Sequence, residues 1–383
     1  MRYARALGAA AVGATALVAA IAAPASADND RPSARCDLVD ADIATSATVH
    51  ADLEADFADY GDSGVGWTGG DSTYSIPLAD GRTVWVFSDT FLGPVHEGGT
   101  RPLETPFLNN SFVVSDGGSL TTVTGGTDEN PASLIEPPED GGWYWVGDGL
   151  QADDGTIQLT ALQFWYGGGG AFDFGWESNH LARFDPDTFE LLDLTDLPSE
   201  SGVQWASWIE PAGRYTYIYG VEDLGAEKYL HVARVRGADL TQPWRFWAGN
   251  RWSWDESRTT RLMDGVANEF SVAALADGYL LLTQDTHEIF SRNIVGYVGC
   301  SPTGPFEPIG TVYEMPEVGA GGSYGNPNIF AYNAHEHPEL RTADDDSFTT
   351  VLTYNVNSFD SSELYEDVTI YRPRFVELSL DLE

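Results

Sequence analysis

The sequence predicts an all-β chain closed into a five-bladed β-propeller, and three observations carry that prediction. Helical periodicity is almost absent after residue 27. A short apolar strand, a turn and a second strand rich in aromatic and β-branched residues recur five times. The polar ends of the second strands, Asp89, Asp148, Glu222, Asp285 and Asn355, are 59, 74, 63 and 70 residues apart. Repeats of that length, with three or four strands each, match propeller blades better than the strands of a sandwich.

The first 27 residues are read as a secretory signal peptide. Arg2 and Arg5 form a basic start, 6–23 is an apolar run, and Pro24 precedes the small-x-small pattern Ala25-Ser26-Ala27. Cleavage is expected after Ala27, giving a secreted, extracellular protein with no membrane segment. Residues 28–65 are read as an N-terminal lead-in and 66–383 as the propeller. Expected blade limits are 66–130, 131–201, 202–265, 266–318 and 319–383.

Charge excludes some partners. The 383 residues hold 19 Lys and Arg against 59 Asp and Glu, a net charge of −40. A phosphate-tracking nucleic-acid binder or an anionic-membrane binder needs the opposite sign. Two cysteines, Cys36 and Cys300, are expected to pair in an oxidising compartment, with two buried free thiols as the alternative. A monomer is expected, and nothing in the sequence calls for a cofactor.

The second strands align as 83–90 (TVWVFSDT), 143–150 (WYWVGDGL), 215–222 (YTYIYGVE), 279–286 (YLLLTQDT) and 349–356 (TTVLTYNV). Four follow turns at Asp80-Gly81, Asp140-Gly141, Ala212-Gly213 and Asp277-Gly278, where glycine accepts the positive φ of a tight hairpin. Third strands follow at 111–114, 181–184, 232–235, 295–298 and 374–377. The strand that closes the ring between the two termini is not readable from the pattern.

In a propeller the innermost strands begin at one rim, where polar groups converge on a funnel. In the first blade Asp71 opens the inner strand and Asp89 closes the second. A two-residue turn at Asp80-Gly81 pairs residues whose numbers sum to 161, so Asp71 faces Thr90 and Asp89 faces Ser72. Strict pleating then separates the two carboxylates, and a twist or bulge near Pro77 is needed to bring them together. Paired carboxylates are what glycoside hydrolysis uses, one protonating the leaving oxygen and one activating water or attacking carbon. The alternative is structural, with Asp71 capping a turn and Asp89 satisfying strand-end amides. Glu269 is a candidate third carboxylate, for substrate or for an ion.

Further rim candidates for substrate binding are Asn109, Asn110, Gln204, Asn268, Asn326 and Asn328. Trp67, Trp165, Trp176, Trp205 and Trp208 could offer flat faces to a sugar, or pack between blades. His335-x-His337 could form half a metal site, but without a third ligand nearby it reads as loop histidines, and no metal is expected. No Gly-x-Ser-x-Gly elbow is present, and the run 167–170 lacks the strand-to-helix context of a phosphate cradle.

The stretch 66–93 (GWTGGDSTYSIPLADGRTVWVFSDTFLG) resembles the opening of a secreted bacterial propeller family, long of unknown function, that includes endo-D-arabinanases acting on cell-wall arabinan. Asn110-Ser111, Glu269-Phe270-Ser271-Val272, the Ser301–Phe306 run (SPTGPF) and His337-Pro338-Glu339-Leu340 fit the same resemblance. It implies cleavage of internal α-D-arabinofuranosyl bonds, with inversion, by the aspartates Asp71 and Asp89. Analogy with other five-bladed arabinan-cleaving enzymes makes Asp71 the base and Asp89 the acid, with the reversed assignment as the alternative. A polysaccharide is the implied partner. A non-catalytic carbohydrate-binding propeller and a glycosidase acting on another furanose-rich glycan are the rival readings.

Overall fold

The computed structural model describes residues 36–139, 141–170, 173–344 and 347–382. The signal peptide with its cleavage point, and Asp140, lie outside them. Five antiparallel sheets form five blades. Blade one holds Trp67–Pro77, Thr83–Leu92, Ser111–Asp116 and Ser119–Val123, from the inside out. Blade two holds Trp143–Gln151, Ile157–Tyr166, Phe174–Phe184 and Leu191–Asp196, and blade three begins with Val203–Ala212, Tyr215–Asp223 and Lys228–Arg236. Blade four holds Phe270–Leu275, Gly278–Gln284, Asn293–Gly299 and Phe306–Glu314. Blade five holds Ile329–Glu336, Ser347–Ser358 and Pro373–Leu382, and its outermost strand is Ile43–Val49 from the N-terminal side.

That last pairing, Ile43 opposite Leu382 through Val49 opposite Val376, closes the ring. The N-terminal strand thereby covers the edge that Pro373–Leu382 would otherwise present at the outside of blade five. A disulfide between Cys36 and Cys300, with 5.4 Å between Cα atoms, fastens the same N-terminal segment to blade four, as expected. Between them runs a helix, Ala51–Asp62, that the strand pattern did not lead us to expect. Its Leu53, Phe57 and Tyr60 recur at helical spacing, and the His50 side chain accepts the Leu53 amide. Phe57 is buried edge-on against Trp67 and Trp85 and lies 5.0 Å from Phe375, so the helix seals the joint between blades one and five.

Two strand assignments change. In blade two, 143–150 is part of the innermost strand, not the second, which is Ile157–Tyr166. The glycine pair before Trp143 ends a connection between blades rather than a hairpin, so the repeat slipped by one strand there. In blade one the hairpin is longer than two residues: Pro77 pairs with Thr83, and Leu78 to Arg82 form the loop. Paired numbers sum to 160, not 161, over most of that hairpin.

The blade cores are large apolar and aromatic side chains facing neighbouring blades, Trp208, Tyr219, Phe184 and Phe270 among those with at most 1% exposure. The axis itself is polar. At the far rim Arg341 sits between Glu210 and Glu336 and pairs with both. That leaves the near rim, where the inner strands start, for the acidic cluster described next.

Candidate active site

Asp71 and Asp89 meet because of a bulge, and the bulge is not at Pro77. Gly70 pairs with Thr90 and Ser72 with Phe87, so Asp71 stands opposite Ser88 and Asp89 together. One further residue, Thr73, is inserted before Tyr74 pairs with Val86. Ser72 and Thr73 carry the distortion at φ +67° and +69°, a left-handed conformation that side chains with a Cβ disfavour. Two glycines precede the bulge for steric reasons. A Cβ on Gly69 would meet the Tyr371 carbonyl oxygen at 2.6 Å, and one on Gly70 would meet the Trp67 Nε1 at 2.8 Å.

Tyr332 donates to Asp71, Asn109 and Trp145 donate to Asp89, and the Tyr371 hydroxyl lies within reach of both. Oδ2 of Asp71 accepts the hydroxyls of Tyr332 at 2.7 Å and Tyr371 at 2.9 Å, both from blade five. Its Oδ1 has no partner in good geometry, although the amides of Asp71 and Asp89 lie close enough to favour its charge. Oδ1 of Asp89 accepts Asn109 Nδ2 at 2.9 Å and the Trp145 indole at 2.8 Å, which leaves Oδ2 uncommitted to either donor. Tyr371 is itself held at φ +78°, its carbonyl accepting the Gly70 amide at 2.8 Å. Strain of this kind survives where the surroundings over-determine it.

Both side chains sit part-buried on the funnel floor, walled by protein. Burial raises Asp71 to about 6 against the two tyrosine hydrogen bonds. Burial raises Asp89 further, to about 8, and the neighbouring Asp71 charge adds to it; Trp145 and Asn109 pull the other way. The two titrate as a pair, holding one proton between them near neutral pH.

Glu269 joins the cluster from the start of blade four. Its Oε1 accepts the Ser72 hydroxyl at 2.8 Å, and its Oε2 lies 3.5 Å from His335 Nδ1. Burial pushes Glu269 well above the usual carboxylate range and Asp71 adds to the push. His335, stacked on Tyr74 at 4.2 Å, is lowered by burial to about 4. His337 hydrogen-bonds Ser75 and Thr353. Among the described residues no three His, Cys, Asp or Glu side chains cluster as metal ligands.

Several candidates fall elsewhere. Asn110 is 1% exposed and ties Ile135 and Tyr144 together through their backbone; the adjacent Asn109 is the one that reaches Asp89. Trp205 is fully buried in blade three, its indole donating to Glu256, and Trp67 and Trp208 are also buried. Asn328 donates to Glu363, and Asn326 hydrogen-bonds the same carboxylate, so the two brace a loop of blade five. Gln204 and Asn268 contact one another, with Asn268 donating to Asp223. Alternation along a strand cannot tell which of two adjacent asparagines turns inward, nor which tryptophans lie between blades.

Sequence reasoning missed Tyr332, Tyr371 and Trp145. The tyrosines lie 261 and 300 positions from Asp71, beyond the reach of any local pattern. Trp145 opens an aromatic face: its ring meets Phe164 at 4.5 Å and Phe174 at 5.0 Å. Phe174 pairs with Tyr166 in register, and Tyr166 is 58% exposed where this hairpin projects past the first residue of the inner strand. Trp165, 46% exposed, points to the opposite face of the same strand and lies over Gly175.

Fold and site together define a five-bladed β-propeller with a carboxylate pair and a third carboxylate at one mouth of its axis. The chain belongs to the family described as Domain of unknown function (DUF5005), which matches residues 54–380. No curated protein matches it by sequence. A crystal structure from Bacteroides ovatus ATCC 8483, named a "putative hydrolase", is 17% identical over 88% of this chain and 94% of that one, with a TM-score of 0.72. At that identity the likeness shows the fold alone. An α-L-arabinofuranosidase from Podospora anserina, in complex with cellotriose, is 12% identical over 82% and 92% at a TM-score of 0.46. Levansucrase from Bacillus subtilis is 12% identical over 76% and 81% at 0.42. Neither of these two bears on the chemistry.

Proposed function

We propose that this protein is a secreted glycoside hydrolase that cleaves internal arabinofuranosyl linkages of a neutral cell-wall polysaccharide, D-arabinan first. The observation that carries the proposal is the pairing of Asp71 and Asp89 across one bulge, with burial raising Asp89 further than Asp71, which supports Asp89 as the holder of the shared proton. A glycosidic bond needs one carboxylic acid and one carboxylate at the same pH, and a coupled pair with unequal burial supplies both. Asp89 is the acid: Asn109 and Trp145 hold Oδ1, so the proton resides on Oδ2 and passes to the leaving sugar oxygen. Asp71 is the base, kept ionised by Tyr332 and Tyr371, and takes a proton from the attacking water as the C–O bond breaks. The product is expected with inverted anomeric configuration.

Burial favours the neutral form of Glu269 beside them, which opposes a third negative charge in the site. The aromatic face from Trp145 to Tyr166 supports a chain of sugars leading away from Asp89. A net charge of −40 disfavours uronate or phosphate polymers and supports a neutral substrate. The test is incubation of purified protein with a panel of furanosyl polysaccharides, following new reducing ends and the anomeric signal of the first product. New oligosaccharides from arabinan are expected. Binding to the panel with no released ends would favour the carbohydrate-binding reading instead.

A further inference from the structure

A second cleft, of about 700 Å³, opens on the rim opposite the carboxylate pair. Its walls come from the turn after blade two's inner strand, with Asp153, and from the outer part of blade three, with Tyr215, Arg234, Arg236, Arg245 and Trp254. Tyr215 and Arg236 pair at the end of blade three that lies beyond Ala212, away from the funnel mouth.

Three aromatic rings and two guanidinium groups meet here. Trp254 is 63% exposed although the Arg245 guanidinium covers one of its faces at 4.2 Å, so the other face is open. Arg234 lies 3.8 Å from the Tyr215 ring and 4.2 Å from Trp252, which stiffens the floor. An open indole suits the apolar face of a sugar ring, because a tryptophan side chain has few torsions to lose on contact. Around it stand donors and acceptors for hydroxyl groups, with Arg236 and Asp153 exposed at the edge. Asp239 is committed to its own loop, accepting from Thr241, Gln242 and Gln158, and those bonds hold it down at about 2. Guanidinium and carboxylate groups are balanced in the cleft, so a polyanion gains nothing there.

We propose that this cleft is a second, non-catalytic carbohydrate site that takes a segment of neutral polysaccharide. Trp254 stacks on one ring, and Arg236 and Asp153 hydrogen-bond its hydroxyls. The ligand class rests on the hydrolase reading, but the cleft shares no residue with the carboxylate pair, and the two can fail separately.

The experiment is co-sedimentation of the full chain carrying Asp71→Asn, which spares the polymer, with insoluble neutral arabinan. Adding Trp254→Ala should weaken retention by about five- to tenfold, and Trp254→Phe, which keeps a flat ring, should restore most of it. With Asp71 intact, Trp254→Ala should cleave short soluble oligosaccharides at the unaltered rate. Undiminished retention of Trp254→Ala would overturn the proposal, as would retention by polygalacturonate alone. Retention that depends on Trp254 in a protein that cleaves no glycan would leave the cleft standing and remove the hydrolase reading.

Discussion

Across the first hairpin of blade one Asp71 stands opposite Ser88 and Asp89 together, at a distortion that Ser72 and Thr73 carry. Two carboxylates so placed cannot both ionise cheaply, and the behaviour of the pair follows from that.

Rate should therefore depend on pH as a bell, with its acid limb near 6 as Asp71 takes a proton and its alkaline limb near 8 as Asp89 loses one. Replacing Tyr332 or Tyr371 by Phe removes a hydrogen bond that favours the Asp71 charge, so the acid limb should move upward in either variant. Profiles of kcat/KM for the three proteins check this, and an unmoved limb would detach the tyrosines from Asp71.

Asp71→Asn and Asp89→Asn should each fold and each lose about 10²–10⁴-fold in turnover, the usual worth of one acid–base group. Affinity should change little, because the amide keeps the shape of the acid. If Asp89 were a structural strand-end residue, the variant would instead melt lower with activity per folded molecule retained.

Stability has a definite sign at Asp89. A carboxyl whose folded-state value is raised binds its proton more tightly than the unfolded chain does, so its burial is easy when protonated and costs stability as pH rises from about 4 to about 8. Asp89→Asn should thus match wild type in Tm near pH 4 and exceed it increasingly up to pH 8. Calorimetry across that range reads the difference directly. A Tm gap that shrinks as pH rises would reverse the assignment.

The two faces of one strand give a paired test. Tyr166→Ala should raise KM for a polymer while sparing a small aryl glycoside, because Tyr166 ends the aromatic face that begins at Trp145. Trp165→Ala, one residue away on the reverse face, should leave both values near wild type.

Removing the Cys36–Cys300 link with a double Ser substitution should lower stability by on the order of 5 kcal/mol on the chain-entropy model, given a separation of 264 residues. Urea unfolding of the two forms measures it.

The repeats were legible because each blade buries a similar strand pair, so the hydrophobic pattern returns with the blade. Asp71 and Asp89 could be named because they stand at the rim ends of one hairpin inside the stretch that carries the family resemblance, and Cys36–Cys300 because the chain holds only two cysteines. Partners such as Tyr332 and Tyr371 were not legible, since ring closure, and no local pattern, sets them beside Asp71. The slip in blade two has the same origin: WYWVGDGL has the composition of a second strand, and only the packing of its neighbours makes it innermost. Asn109 and Asn110 both read as rim residues; Asn109 reaches Asp89 and Asn110 turns to the Ile135 and Tyr144 backbone, a choice that the surrounding packing makes and composition does not record.

The joint between Ile43–Val49 and Pro373–Leu382 bears on more than the outline of the ring. Asp71 belongs to the first blade, while Tyr332 and Tyr371, which orient it, belong to the last. The chemistry is therefore assembled on a seam that does not exist until the end of the chain has found its beginning. A half-synthesised or sprung-open chain would carry both aspartates without the hydroxyls that hold Asp71, so on the proposed hydrolase reading full activity would itself report that the circle has closed.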